Sequence, residues 1–575
     1  MSSPSEGAPV AEGGGEARFR SSTAPAYVLV FLAVILIAIG LRVPDLSRRP
    51  MHTDEAVHAV KFGMLLEDGF YRYDRTEYHG PTLNYFTLIP AWMESAVAGS
   101  AGNAGSELGE ISEVTLRIVP VTFGIGLLLL LLLVPGLSRE VVVAAGFFTA
   151  VSPAMVFYSR YYIQETLLVF FAFGVLVAGC RYARNAHAGW AVAMGVFAGL
   201  MHATKETAVI ALGAMVLALG LTLVTRGSAP VPYPRPVPAT LVRHGLIALI
   251  TAASVSALFY SSFLTHPAGV LDSYTTYASY LGRAQHEWHI HPWYYYIELL
   301  VYFRGPSGPL WSEALILLLA GVGVVTVATK KHIPGVDADI VRFLSFYSIA
   351  LLIIYSAIPY KTPWNMLGAL HGLIILAGVG VVAALNATRS RFAYVALGCA
   401  LAIGGAHLAR QSYLGSNLYY ADPNNPYVYA HPTDDVMRIA ERIQALADVH
   451  PDGNDMYIEV ISPASDYWPL PWYLRSFPNA GWWEQVDMEV PAAPVIIAAP
   501  SVEADVLRKL YELPPPGEKY LYVPLFESTT EIRPTIEIHG YVRKDLWDAY
   551  LRNLQSLQTP DPDVSSERTA DATTT

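Results

Sequence analysis

Directly after its first long apolar run the sequence reads Met51-His52-Thr53-Asp54-Glu55-Ala56-Val57-His58. Adjacent carboxylates and imidazoles this close to a membrane surface are costly to desolvate, so they are expected to face a water-filled cavity. A carboxylate held there could take the proton from an attacking hydroxyl, which is general-base chemistry. The same residues also read as acids at a helix N-terminus with Thr53 as N-cap, an alternative that spacing alone leaves open. Glu77-Tyr78-His79-Gly80-Pro81-Thr82 adds a further acid and a further histidine, where a plain surface loop is the competing reading.

Farther along, Ser159-Arg160-Tyr161-Tyr162-Ile163-Gln164-Glu165-Thr166 sets Glu165 at a helix start, where the macrodipole favours an anion, with Arg160 as a candidate partner. His202-Ala203-Thr204-Lys205-Glu206 is a second charged helix start, and for both an ion pair inside a bundle is the bland alternative. The stretch 265–304 carries Arg283, His286, His289, His291 and Arg304 among many Tyr and Trp residues. His286-x-x-His289-x-His291 has spacing that a divalent metal could use, while the aromatic density fits an interfacial belt. Tyr360-Lys361-Thr362-Pro363-Trp364-Asn365 puts a lysine between two apolar runs, where it could snorkel or meet a phosphate.

These residues need elements to hold them, and composition says which kind. The chain has 575 residues, 53% hydrophobic and 15% charged, with a mean hydropathy of +0.36. That is too apolar for a soluble globular protein. A bilayer core of roughly 30 Å takes about 20 apolar residues per helix, and less in a packed bundle. Runs at 26–46, 114–135, 141–159, 165–182, 189–203, 207–225, 243–263, 309–329, 340–358, 364–385 and 392–411 predict about eleven transmembrane helices. Thr82 to Ala98 is apolar but holds Asn84, Pro90 and Glu94, so a juxtamembrane or re-entrant helix is expected there.

Arg139, Arg181 with Arg184, Arg226 with Arg235, Lys330 with Lys331, and Arg389 with Arg391 fall in alternate loops. The Lys/Arg bias puts those loops and the N-terminus in the cytoplasm, and the unusual residues outside. The net charge of −11 hides an asymmetry, because 25 of the 48 acids but only 11 of the 37 bases follow residue 419. That acidic part alternates helical runs (Asp434 to Ala447, Val502 to Leu510, Lys544 to Leu554) with strand-like ones (Met456 to Ile461, Val495 to Ala499, Tyr520 to Val523, Thr535 to Ile538), so the reading is an all-α polytopic membrane bundle with a small external α/β C-terminal domain. Its expected parts are a disordered leader over 1–24, a membrane domain over 25–415 with external loops 47–113 and 264–308, a soluble domain over 416–556 and a disordered tail over 557–575. No basic patch suggests nucleic acid. Cys180 and Cys399 both lie in apolar runs, which leaves neither a disulfide framework nor a cysteine zinc site. A transporter would set charged and helix-breaking residues near mid-bilayer. Here they gather at helix ends, which favours an enzyme.

The order of these motifs resembles the GT-C glycosyltransferases, in the protein O-mannosyltransferase and aminoarabinose-transferase branch. The resemblance rests on an acidic pair after the first span, an acid-plus-Pro motif about 25 residues on, Arg117 at a helix start, a further acid and a soluble final domain. His52-Thr53-Asp54-Glu55, Ser159 to Glu165, Tyr360 to Trp364 and Asp466-Tyr467-Trp468-Pro469-Leu470-Pro471-Trp472 look closer still to the prokaryotic flippase-activity-associated proteins. What the resemblance implies is transfer of a sugar from a polyprenyl-phosphate donor to a protein, lipid or glycan acceptor outside a prokaryotic cell membrane. Asp54 would be the general base with Glu55 as its helper. Glu77, His79, Arg160, Glu165, Lys205, Glu206, Arg283, Arg304, Lys361 and Trp364 are the candidates for holding substrate. A flippase or glycosyltransferase partner, or an inactive accessory role, stays open. Glu165 stands where the family usually has Asp, and the Glu77 stretch lacks its common double proline.

Overall fold

The computed structural model describes residues 24–75, 79–97, 111–226, 237–283, 289–515, 517 and 519–558. The expected leader and tail lie almost wholly outside them. Helices α1 (Ala24–Arg42), α2 (Thr53–Asp68), α3 (Thr82–Val97), α4 (Glu113–Leu131), α5 (Arg139–Val151), α6 (Pro153–Ser159), α7 (Glu165–Asn185), α8 (Ala188–His202), α9 (Ala208–Arg226) and α10 (Pro238–Tyr260) form the first part. There follow α11 (Ala268–Arg283), α12 (Tyr295–Val301), α13 (Ala314–Ala328), α14 (Ala338–Ala357), α15 (Leu367–Ala387) and α16 (Arg391–Asn417).

Eight of these helices are long and apolar enough to cross a membrane, α5 and α6 meet the same test only as a pair bent by 60°, and α8 and α13 are shorter apolar helices. They correspond to the eleven apolar runs, and the chain is a multi-pass membrane protein. The bend has a local cause. Proline opens α6 and has no N–H to give α5, while Ser152 ends one helix and accepts from Met155 N–H to cap the next. Helix α15 packs against α13 so closely that a Cβ on Gly380 would lie 1.8 Å from the carbonyl oxygen of Leu319. Helix α3 is not one of the spans; it lies against α4 and turns Ile89, Trp92 and Met93 outward.

Two ends of the bundle differ in character. At one, Arg184 pairs with Asp337 at 3.7 Å, Arg226 with Asp339 at 3.2 Å, and Arg181 donates to Leu133 O at 2.7 Å. These are loops that the sequence groups by their basic residues. The other end carries α2, α3 and the final domain, built from α17 (Asp435–Ala447), β1 (Ile458–Ile461), α18 (Leu470–Tyr473), β2 (Ala480–Trp483), β3 (Val495–Ala498), α19 (Glu503–Tyr511), β4 (Tyr522–Pro524), β5 (Thr530–Arg533), β6 (Ile536–Arg543) and α20 (Lys544–Gln558). The strand order is β2-β1-β3-β6-β4, with β5 also on β6. β1 runs parallel to β2 and β3, and β6 antiparallel to β3. β1 and β3 are buried along their whole length because α17 and α20 cover one face and α19 the other, which explains why they read as short apolar runs rather than alternating ones.

The final domain is fastened to the bundle by α18. Trp472, fully buried, donates its Nε1–H to Glu113 at 2.8 Å, and the Met51 N–H donates to the Tyr473 hydroxyl at 2.7 Å. The Asp466-to-Trp472 string therefore ends in a joint beside the His52–Glu55 segment.

Candidate active site

Helix α2 begins with a capping box in which His52, not Thr53, is the N-cap and Glu55 the reciprocal acid. The histidine Nδ1 accepts from the Asp54 N–H at 3.0 Å, and Glu55 accepts from the His52 N–H at 3.0 Å. Because Nδ1 is an acceptor, the ring proton sits on Nε2, which donates to Tyr429 O at 2.9 Å. His52 is thus a neutral imidazole, and burial, partly offset by Asp54 and Glu55, holds its pKa below the ordinary value.

Glu55 is completely buried and both its oxygens are taken. One receives Arg49 Nη2 at 2.9 Å, Arg117 Nε at 2.9 Å and the Tyr162 N–H at 2.8 Å; the other also receives Arg117 Nη2 at 2.9 Å. Burial by itself raises a carboxyl pKa, but Arg117 and then Arg49 outweigh it and hold Glu55 at about 2. Glu55 is therefore a permanently charged clamp joining α2 to α4 and to the 160–164 loop.

Asp54, one residue earlier on the helix, points the other way and its side chain is 43% exposed. Among the described residues its one ion-pair contact is with Nδ1 of the neutral His52, at 3.9 Å. Aromatic rings crowd the same mouth. Tyr161 lies 5.2 Å from His52 and is stacked on His431 at 5.3 Å, and Trp364 lies 6.3 Å from His52 and 5.8 Å from Tyr429. Burial pushes the Tyr161 hydroxyl well up, with Asp54 and Glu55 adding to it, so it stays a hydrogen-bond donor. Tyr161 Oη, His431 Nε2 and Thr53 Oγ1 are buried polar atoms with no partner among the described residues.

The strand-like segment 289–291 runs beside 359–361, paired through Ile290 and Tyr360. It carries His289 to the Tyr429 hydroxyl, and the Lys361 side chain folds under it. Lys361 is buried, its Nζ donating to Ile358 O at 2.5 Å and His291 O at 3.0 Å, with Pro359 O at 3.4 Å. It does not snorkel, and among the described residues no carboxylate pairs with it. Burial alone lowers its pKa.

A second group lies four residues along α2. His58 sits 5.4 Å from the His79 ring, His79 Nδ1 meets Glu206 at 3.3 Å, and Lys205 is ion-paired with Glu165. Glu165 therefore finds Lys205, not Arg160. Arg160 instead donates to the carbonyls of Leu41, Arg42 and Asp45, closing the end of α1. The chain before α3 is pressed on the end of α8, with Gly80 N–H on Thr204 O at 3.1 Å. A Cβ there would lie 2.1 Å from Ala203 O, so only glycine fits.

Glu77, His286 and the Arg283 side chain lie outside the described residues. Arg304 is exposed, and no hydrogen bond or ion pair among the described residues ties it to the cluster. His289 meets Tyr429, while His291 stacks on Tyr295 at 4.2 Å. Among the described residues no three His, Cys, Asp or Glu side chains converge as metal ligands. Tyr429 and His431 are site residues that sequence reasoning missed; the alternation Tyr427-x-Tyr429-x-His431 in a Pro- and Asn-rich linker was the one available signal.

No protein-family profile and no curated protein matches the chain. Solved structures do. ArnT from Cupriavidus metallidurans, bound to undecaprenyl phosphate, aligns with a TM-score of 0.53 and 14% identity over 90% of this chain and 98% of its own. Its apo form gives 0.56 at 12% identity with the same coverage. The apo Archaeoglobus fulgidus oligosaccharyltransferase aligns at 0.50 and 12% identity over 83% of this chain and 70% of its own. The chain has the GT-C fold. Within that fold the Asp54–Glu55 pair stands at the junction of the bundle, the α2–α3 layer and the final domain.

Proposed function

We propose that this GT-C protein is a glycosyltransferase that moves a sugar from a polyprenyl-phosphate donor to a hydroxyl acceptor, with Asp54 as general base. The observation that carries the reading is the division of labour among the acids. Glu55, Glu165 and Glu206 are each committed to a basic partner, whereas Asp54 is half-exposed and, among the described residues, is paired only with the neutral His52 at 3.9 Å. The acceptor hydroxyl attacks the anomeric carbon while its proton passes to an Asp54 carboxylate oxygen. The bond from that carbon to the phosphate oxygen breaks, and its electron pair leaves with the lipid phosphate.

Other features support this chemistry. Tyr161, Trp364 and His431 pack into a buried aromatic cluster beside His52 that backs Asp54, and their unpartnered Tyr161 and His431 atoms keep polar capacity next to it. Lys361 brings a positive charge beside the cluster, and its most weakly held N–H is the natural one to turn toward phosphate. A narrow crevice of about 30 Å³, lined by Glu165, Leu168, Ala211, Tyr347, Leu351 and Trp364, lies between α7, α9, α14 and α15. No step in this scheme runs through a metal. By the charge rule the site faces outward from a prokaryotic cell membrane, with the N-terminus in the cytoplasm.

The test is transfer of radiolabelled sugar from extracted lipid donors by the purified protein in detergent. Transfer to a hydroxyl-bearing acceptor supports the reading. Donor binding without any transfer across donor and acceptor classes would favour an accessory role.

A further inference from the structure

Behind Glu55, away from Asp54, positive charge outnumbers negative. Arg49, Arg117 and Arg160 are all buried and line one crevice of about 10 Å³ together with Leu46, Phe157 and Ser416. A fourth guanidinium, Arg42, is buried beside them and spends its Nη groups on the carbonyls of Ala38, Thr149 and Ala150. The carboxylate inside this group is Glu55, shared by Arg49 and Arg117. Asp45 is exposed and offers Arg160 its carbonyl, and Glu113 is held by Trp472. Buried charges are ordinarily paired, so an excess of this size calls for a counter-ion.

The donors say where it would sit. Arg117 spends its N–H groups on Glu55, Leu46 O, Arg49 O, Pro50 O and the Met51 sulfur. Arg49 uses only Nη2, on Glu55 and Arg160 O, while its face rests 4.4 Å from the Tyr161 ring centre. Its Nε and Nη1, and Nε of Arg160, have no acceptor among the described residues. On the opposite wall Ser416 is 7% exposed and its Oγ is buried without a partner. Burial, together with the charges of Arg49 and Arg117, lowers Arg160 to about 10 against the opposing charge of Asp45.

We infer that this crevice between the α1–α2 connection, α4, α6 and the end of α16 binds a monovalent anion of chloride size, held by Arg49, Arg160 and the Ser416 hydroxyl. The few unspent donors suit a small spherical ion better than a tetrahedral oxyanion. The ion would lock the end of α1 and the clamp around Glu55 in place, and it is separate from the sugar-transfer site.

The test is equilibrium dialysis of the full-length protein in detergent against radiolabelled chloride, with melting followed in chloride and in gluconate at equal ionic strength. The expected result is saturable binding of one chloride per chain, displaced by bromide, and a higher melting temperature in chloride. Arg160→Met should weaken binding at least about tenfold, the loss of one charge-assisted contact. Should that variant fail to fold, Ser416→Asp decides, because a carboxylate placed in the crevice should abolish chloride binding and make melting indifferent to chloride. Absence of saturable chloride binding by the unaltered protein overturns the inference. So does unchanged chloride affinity in either variant, or displacement by inorganic phosphate at lower concentration than by bromide.

Discussion

Replacing Glu55 by glutamine separates a clamp from a catalytic helper. The substitution keeps the side-chain volume but removes the charge that Arg49 and Arg117 share at 2.9 Å. Breaking a buried pair by removing one partner costs about 3–5 kcal/mol, because the other charge is left uncompensated. An independent figure follows from the carboxyl itself, held at about 2 against an ordinary 4.5. A difference of that size is worth about 3 kcal/mol. Since the folded pKa is depressed, this contribution is complete above about pH 4.5 and fades as pH falls toward 2. Glu55→Gln should therefore lower the apparent melting temperature by several degrees at pH 7, and the gap to the unaltered protein should close in acid. Differential scanning fluorimetry in detergent measures both. A Glu55→Gln protein that melts normally yet has lost turnover would refute the clamp and restore Glu55 as a helper in the chemistry.

Three further outcomes follow from the same geometry. Lys361→Met should lower melting, since the Ile358 and His291 carbonyls lose charge-assisted bonds worth about 1.5–3 kcal/mol each, and should weaken polyprenyl-phosphate binding about tenfold or more in a lipid-binding assay; early melting with normal lipid binding would confine Lys361 to fastening the 289–291 segment. Gly380→Ala should destabilise the α13–α15 pair and reduce yield of folded protein on size-exclusion chromatography, because Leu319 O lies 1.8 Å from the new Cβ. A periplasmic-type phosphatase fused after α20 should be active in a bacterial host, and an inactive but stable fusion would reverse the orientation.

Much of the fold was legible because membrane helices declare themselves by length and polarity. The eleven runs, a separate helix at α3 and the basic loops were all visible, as were α17, α19 and α20. The strands expected at Met456–Ile461, Val495–Ala499, Tyr520–Val523 and Thr535–Ile538 correspond to β1, β3, β4 and β6. β2 and β5 were not visible: Ala480-Gly481-Trp482-Trp483 sits at an edge with little burial, and Thr530–Arg533 is a short polar segment that exists only by pairing with β6. At the site, Asp54 and Glu55 were legible as a pair but not as opposites. Their difference arises from which face of α2 meets Arg117, contributed by a helix 62 residues away. The capping role fell to His52 because its Nδ1 could accept the Asp54 N–H, a use of histidine that residue type alone does not advertise. Tyr429 and His431 come from a linker pinned by Tyr427, whose hydroxyl donates to Glu313 and whose carbonyl accepts from Tyr158, so nothing local marks them.

The most direct measurement is the initial rate of sugar transfer from a purified polyprenyl-phosphate sugar by Asp54→Asn beside the unaltered protein, with melting recorded on the same samples. General-base contributions run to about 10²- to 10⁴-fold, and Asp54 is half-exposed with no charged partner among the described residues to leave stranded. The account predicts a loss of at least about a hundredfold in rate with an unchanged melting temperature. Near-normal transfer by Asp54→Asn, from a protein that folds normally, would contradict it.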